Sequence, residues 1–431
     1  MSRGSLNDAQ AKNYMRRVFN ALVPALLLMG GTAHAQDVLV EGPGIKVGEA
    51  TVLHPRVGLE AGVVSNVFYE DEGEVAAPIG RLLAGIDIAP AGEDRLGEIG
   101  DTGARTIDFR AGTELQYTEY LSSNDRARDQ RNLDAEAHAN LVFFPQGNVA
   151  FGLSDKFERV GRPTNFESTR RLDRDVNHFK AEMIIQPRGH NISGGPRYEN
   201  KIDYFESDES EFASRIQHIL GAKVEWKFFP YTKAWLDGSI GFFDGLGDNN
   251  LEGMDYKVSS RPLRVQAGID TILTEFTTVN AYAGYANGFY ESGPSFSSVV
   301  GGLDFGWRYL PTGRMTLGYR YDVHDSINSN YYGEHHGKLG FQQGIRTFLL
   351  SGGVGARFRG YRGVSPLISA EEDRDDLIIE ASFRAAWVLR DRFSVYADYA
   401  LQVVETDFRT EEMDDPSYMR HEAVLGLIAA F

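Results

Sequence analysis

The 431-residue chain contains no cysteine. That absence says little about function, and it fits a protein that crosses an oxidising compartment without needing a disulfide. Beyond the N-terminal region, no apolar run is long enough to cross a bilayer as a helix, so a helical membrane protein is excluded. Positive charge is also short: 44 Lys and Arg stand against 61 Asp and Glu, a net charge of −17. A nucleic-acid partner wants a basic footprint and is therefore excluded. No Ser–His–Asp order stands out, and no glycine run has the context of a phosphate loop, because Gly352-Gly353-Val354-Gly355 lies inside an alternating segment.

The N-terminus reads as a secretory signal. Met15-Arg16-Arg17 supplies a positive start, Val18 to Met29 an apolar core, and Ala33-His34-Ala35 a small-x-small cleavage site. Met15 is read as the true start, with residues 1–14 as an upstream extension. Residues 1–35 carry Arg3, Lys12, Arg16 and Arg17 against Asp8, so their removal leaves a net charge of −20. Residues 36–51 then form a short periplasmic segment, and 52–431 a single sheet domain.

What the chain has in abundance is glycine (47), tyrosine (20) and phenylalanine (26), set in segments of alternating polarity. Around Tyr309-Leu310-Pro311-Thr312-Gly313-Arg314, Leu303, Phe305, Trp307 and Tyr309 alternate with Asp304, Gly306 and Arg308. Met315, Leu317, Tyr319, Tyr321 and Val323 alternate with Thr316, Gly318, Arg320 and Asp322. A period of two marks a strand with one apolar and one polar face. Proline cannot donate to a ladder and glycine allows positive φ, so the pair ends one strand and starts the next. The same device recurs at Pro145, Pro187 and Pro230, with looser versions at Glu275, Gln342-Gln343 and Asp391.

Eighteen such strands can be placed, from Arg56–Val64 to Met419–Phe431, with sixteen as the alternative. Turns of two to five residues follow the even strands. Longer, often acidic loops follow the odd ones: Gly161 to Asp175, Asp244 to Asp255, Val364 to Asp376 and Asp407 to Ser417. This pattern predicts an all-β fold, a transmembrane antiparallel up-and-down β-barrel in the bacterial outer membrane, with periplasmic short turns and extracellular long loops. A soluble propeller or sandwich would show the same alternation. Mid-strand charges on the polar faces weigh against it.

The segment from Pro55 to Tyr69, in which an alternating strand runs into Ser65-Asn66-Val67-Phe68 and an acidic loop, resembles the start of the β-barrel porin 2 family. The strand Arg81 to Pro90 and the proline-tipped hairpins are similar too. The resemblance implies an exit channel for exopolysaccharide or capsular polysaccharide in export systems of the Wzx/Wzy type. It also implies a periplasmic polysaccharide export protein as partner, and a monomer. An alternating last strand ending in Phe431 looks like the signal that the outer-membrane assembly machinery reads in such proteins. Outer-membrane lipid and lipopolysaccharide would be its surroundings. The alternatives are a general diffusion porin for small solutes and an outer-membrane lipid-modifying enzyme, for which no nucleophile can be named.

A barrel of this size holds an aqueous lumen. The polar-face residues expected to line it are Arg110, Glu114, Lys223, Glu225, Lys227, Asp304, Arg308, Arg320, Asp322, Arg357, Glu380, Arg384 and Asp398. Both signs are interspersed, which suits a hydrated, weakly selective path; a phosphate pore would want rings of Arg and Lys. The same charges could instead pair across strands to hold the wall together. Tyr282 and Tyr396 on that face could offer stacking surfaces to sugar rings. No catalytic residue, cofactor or metal is expected. His335 and His336 are adjacent and so face opposite sides of a strand, and the acids of Asp244 to Asn250 miss the calcium-loop spacing.

Overall fold

The computed structural model describes residues 40, 42–48, 51–90, 106–161, 173–187, 191–208, 210–251, 253–365, 373–408 and 417–431. The expected signal peptide, with Met15, lies outside the described residues.

Eighteen long strands form one antiparallel sheet. They are β1 (Thr51–Val64), β2 (Ala77–Pro90), β3 (Ile107–Tyr120), β4 (Asn132–Phe143), β5 (Val149–Val160), β6 (Arg174–Ile185), β7 (Ile192–Phe205), β8 (Arg215–Phe229) and β9 (Thr232–Gly245). The second half comprises β10 (Leu263–Thr274), β11 (Thr277–Asn287), β12 (Ser297–Leu310), β13 (Gly313–Asp325), β14 (Ser329–Ile345), β15 (Phe348–Val364), β16 (Asp373–Leu389), β17 (Phe393–Thr406) and β18 (Tyr418–Ala430). Each strand pairs with its neighbours in the chain. β1 also pairs with β18, from Arg56↔Ala430 to Val64↔Glu422, so the sheet closes and has no free edge. The count is eighteen, not sixteen.

Alternation sorts every strand into two faces. Val57, Leu59 and Val63 on β1, Leu220, Val224 and Trp226 on β8, and Leu425 and Leu427 on β18 are exposed. The opposite face carries the charge, as at Arg56 and Glu60 on β1, Lys223 and Glu225 on β8, and Arg420 and Glu422 on β18. The charged face is the concave one. Arg264 on β10 reaches Asp322 on β13 at 2.5 Å, and Arg215 on β8 reaches Asp325 on β13 at 2.8 Å. Side chains on strands three and five apart meet only across the inside of a curved sheet. The exposed apolar face therefore looks outward, and in a closed sheet with every ladder group paired, that face belongs in lipid. The chain is a bacterial outer-membrane β-barrel.

The rims are unequal. Two residues join β8 to β9, β10 to β11, β12 to β13 and β14 to β15. On the same rim, β6 to β7 takes six residues, longer than the expected two to five, and β2 and β3 are joined through 91–106, where the sequence shows a longer polar link from Ala91 to Ala104. On the other rim most loops are long, but β13 to β14 takes only 326–328. There the Ser326 hydroxyl accepts the backbone N–H groups of Asn328 and Ser329 and closes a tight turn. β14, β15 and β16 run 17 residues each, beyond the expected starts and ends. The extra length of β15 and β16 carries charge on both faces, as in the Arg362–Asp375 pair at 3.3 Å, and that of β14 opens on Ser329-Asn330-Tyr331-Tyr332, so apolar alternation does not reveal it. β11 stops at Asn287 rather than Tyr290, because Phe289 takes a φ of 46° that ends the extended run.

At the short-turn rim the N-terminal segment returns onto the wall. Ile45–Val47 pairs with Thr51–Leu53 of β1. Val40 is buried against Ala386, Tyr396, Ile428 and Ala430 on the inner faces of β16 to β18. Gly42, with φ 73°, lies so close to the Ala430 carbonyl that a Cβ would sit 2.7 Å from its carbon. Only glycine fits that approach.

Val224 lies near the middle of the outer apolar face of β8, and Lys223 beside it lies on the inner face. Replacing Val224 by Arg is expected to cost about 2–4 kcal/mol. Lys223→Gln should change stability by less than about 1 kcal/mol. Urea unfolding in lipid vesicles, read by tryptophan fluorescence, checks both; equal effects would mean that the outer face does not lie in hydrocarbon.

The inner wall as candidate functional site

The inner wall is built from one repeated device. A large side chain on one strand lies over a glycine on the next and touches a residue on the strand after that. Arg56 on β1 crosses Gly85 on β2 to pair with Glu114 on β3. Arg197 on β7 crosses Gly221 on β8 to form a two-point pair with Asp237 on β9, at 2.5 and 2.9 Å. Asp304 on β12 meets Lys338 on β14 at 3.2 Å across Gly318 on β13. Tyr396 on β17 crosses Gly426 on β18 to donate its hydroxyl proton to Glu60 on β1. In each case a side chain in the middle strand would occupy the bridging group's place: a Cβ on Gly85 would lie 2.6 Å from Arg56 Nε. Adjacent-strand pairing is the ordinary unit of sheet stabilisation. Here its reach is doubled, and glycine on the inner face is what permits it.

The same device lays an aromatic pair along the wall. Trp235 on β9 lies across Gly268 on β10 and faces Tyr282 on β11, with ring centroids 6.2 Å apart. Tyr282 in turn covers Gly302 on β12. The Lys223 ammonium stands 5.4 Å from the Trp235 ring. Trp235 was not among the residues expected to line the lumen. Its sequence neighbours Ala234 and Leu236 continue the outer face, so its inward position follows from parity alone, and its role requires the glycine two strands' register to be known.

All thirteen charged residues singled out in the sequence stand on the inner face. Glu225 bonds Lys223 at 2.6 Å and Lys233 at 3.2 Å. Arg357 pairs with Glu380 at 2.9 Å, and Arg384 pairs with Asp398 at 2.6 Å. Arg320 lies 3.3 Å from His336 Nδ1. Arg110 lies beside Gly112 and Glu114 on the same face of β3. Lys227 and Arg308 have no ion pair among the described residues. Six of the thirteen thus pair among themselves, and Glu114, Asp304 and Asp322 pair with Arg56, Lys338 and Arg264, so the wall still presents both signs. Tyr396 is buried beneath Val40, which removes its ring as an open stacking face, whereas Tyr282 stays half-buried.

Toward the long-loop rim the pairs sink out of contact with water. Glu334 and Arg359 meet at 2.7 Å with side chains only 4% and 2% exposed, and Arg359 lies over the Tyr332 ring. Arg374 grips Asp376 at 2.7 Å beneath Tyr361 and Phe408. Arg420 bridges to Glu422 at 2.7 Å under Tyr69. Tyr69 lies in the loop 65–76 and Phe408 just beyond the end of β17, and each ring covers an ion pair. On the opposite flank, Lys257 of the loop 246–262 lies against the Phe243 ring and donates to the carbonyl of Ser326. Tyr290 in the loop 288–296 donates to the Asn330 carbonyl at 2.8 Å, and burial pushes its phenol well above the usual range.

The adjacent histidines separate as the pleat requires. His336 is buried inside, and His335 is exposed outside against Tyr319. The loop around Asp244 to Asn250 forms one side of a rim cavity of about 560 Å³ shared with Met254, Lys257, Ser259 and Glu291. Among the described residues no three His, Asp or Glu side chains converge as a metal site would need.

No family model matches the sequence, and no curated protein matches it. Among solved structures, the chain is similar to OpdK of Pseudomonas aeruginosa determined with vanillate, at 9% identity and a TM-score of 0.46, over 88% of this chain and 99% of that one. OccAB4 of Acinetobacter baumannii aligns at 10% identity and 0.43, over 88% and 98%. The ferric enterobactin receptor PfeA of Pseudomonas aeruginosa, solved in complex with BCV-L6, aligns at 9% and 0.42, over 90% and 82%. Similarity at this level carries no argument, and the barrel assignment rests on the strand pairing of this chain itself.

Breaking the buried Glu334–Arg359 pair by Arg359→Ala should cost about 3–5 kcal/mol, because it strands a carboxylate out of water. The double replacement Glu334→Leu, Arg359→Met should recover most of that loss. Gly85→Val should displace Arg56 from Glu114 and cost about 1–3 kcal/mol through overpacking. Vesicle unfolding curves for the three variants test both statements.

Proposed function

We propose that this barrel is a passive channel for small hydrated solutes. One observation carries the reading: the inner wall is charged along its length, but its acids and bases are tied to each other. Such a wall is hydrophilic without a dominant sign, and it offers water and modest solutes a path without a deep well for either type of ion. An eighteen-stranded wall encloses enough space for that path. The paired charges hold fixed positions, so the lining is a rigid polar surface.

A second reading, a polysaccharide exit working with a periplasmic export protein, draws on the family resemblance and on the Trp235–Tyr282 pair. Two neighbouring aromatic rings, tilted 35° to each other, suit the apolar face of a sugar ring. In that reading the polymer is the substrate, and a monomer suffices.

Planar-bilayer recording distinguishes the two. The diffusion channel should give steady open conductance with weak ion selectivity. The unpaired cations set its residual bias, so Lys227→Glu with Arg308→Glu should move the reversal potential toward cation preference. A barrel closed to salt, combined with loss of surface polymer on deletion of the gene, would overturn the solute reading and support the exit.

A further inference from the structure

The outer face carries one polar motif three times. Tyr198 on β7, Tyr319 on β13 and Tyr399 on β17 each lie 2.8 Å, hydroxyl to Nδ1, from a histidine on the following strand: His218 on β8, His335 on β14 and His421 on β18. The register is the same in all three. Each tyrosine is paired with the residue two positions beyond its histidine: Leu220, Gly337 and Ala423. Ring centroids lie 6.1, 6.3 and 6.1 Å apart. All three histidines are exposed. Packing of the wall does not require them, since their rings point away from it.

Their height is common as well. Ten residues separate each histidine from an apolar residue at the short-turn end of its own strand: Phe228 for His218, Ile345 for His335 and Phe431 for His421. Ten residues of strand, tilted by about 40°, climb about 25 Å, the height of a barrel's apolar band. If the short-turn residues mark the periplasmic interface, the histidines stand at the opposite one. That is the level of the outer-leaflet headgroups.

The chemistry at that level selects an anion. At His218, the Asn200 amide nitrogen lies 3.2 Å from Nδ1. An amide N–H₂ only donates, so Nδ1 accepts there and from the Tyr198 hydroxyl, and the proton sits on Nε2. Nε2–H then points outward as a donor with no partner in the wall. A donor left facing hydrocarbon is costly. In addition, no carboxylate flanks any of the three in register. His218 stands between Asn200 and Phe242, His335 between Tyr321 and Phe358, and His421 beside Leu401.

We propose that His218, His335 and His421 are three equivalent contact points for phosphate-bearing headgroups of outer-leaflet lipid, each imidazole oriented by its tyrosine and donating from Nε2. The phosphate oxygen accepts the bond, and its negative charge strengthens it. The contacts anchor the barrel at a fixed depth and are independent of what passes through the lumen.

The test is native mass spectrometry of the whole purified barrel. It is titrated with a diglucosamine lipid bearing two phosphates, with the same lipid after phosphate removal, and with inorganic phosphate as competitor. The wild type should retain up to three phosphorylated lipids, and should bind the dephosphorylated form at least about tenfold more weakly. The variant His218→Gln, His335→Gln, His421→Gln should lose that preference while keeping the heat-modifiable gel mobility of a folded barrel. The single variants should each lose one binding step, which keeps the test sharp if the triple variant does not fold. Equal retention of the two lipids by the wild type, an unchanged preference in the variants, or displacement by millimolar inorganic phosphate would each overturn the proposal.

Discussion

Hydrocarbon offers no hydrogen bond to a backbone, so every peptide group in the wall must find its partner within the sheet. The structure meets that constraint at one place above all, the nine register pairs between β1 and β18. Without them the remaining seventeen ladders would still leave two open edges in lipid. The closure then dictates the rest. It makes one face concave, sends the charges of that face toward each other, and places both ends of the wall on the same rim. The segment around Val40 and Gly42 lies over this seam from inside, so the least local of the ladders is also the most reinforced.

On the inner face the wall resolves a second conflict. A curved sheet that bears charge on most of its strands' inner faces must either leave those charges in water or let them pair. Pairing between adjacent strands is limited by register, since a Lys or Arg does not always stand opposite an acid. Glycine in the middle of a three-strand row removes that limit. Gly85, Gly221 and Gly318 each let a cation and an anion two strands apart meet. Near the long-loop rim the solution changes: aromatic residues from the wall and loops cover the pairs, and burial increases what a mismatch costs. The polar lining is thus both the surface that faces solute and part of what holds the wall in shape.

Strand number, topology and the sidedness of residues such as Lys223, Asp304 and Arg384 were legible in the sequence because they depend only on parity. A period of two survives any tertiary context that keeps one face in lipid. What parity cannot supply is register. Gly85 and Gly268 read as plain strand glycines until the residues opposite them are known, and Trp235 reads as one more aromatic in an apolar run. The same is true of the three Tyr–His diagonals, whose partners are separated by 16 to 22 residues. The long upper ends of β15 and β16 escaped because charge on both faces erases the alternation that marks a strand in lipid, and that of β14 because Ser329-Asn330-Tyr331-Tyr332 does not alternate. Tyr396 lost its expected openness to Val40, which comes from a segment with almost no pattern of its own.

The unequal rims also set a direction for assembly. The two-residue turns carry little charge, whereas the loop 246–262 alone holds Asp248, Asp255 and Lys257. Carrying such groups through hydrocarbon one hairpin at a time would meet a barrier far above the net stability of the finished barrel. The wall therefore cannot enter lipid strand by strand with its long loops leading. Those loops must pass through a polar opening while the sheet is still incomplete, and the β1–β18 seam is the ladder left to form once they are across. The polar groups of the outer rim, and not the apolar strands, are therefore what the assembly of this molecule has to carry across.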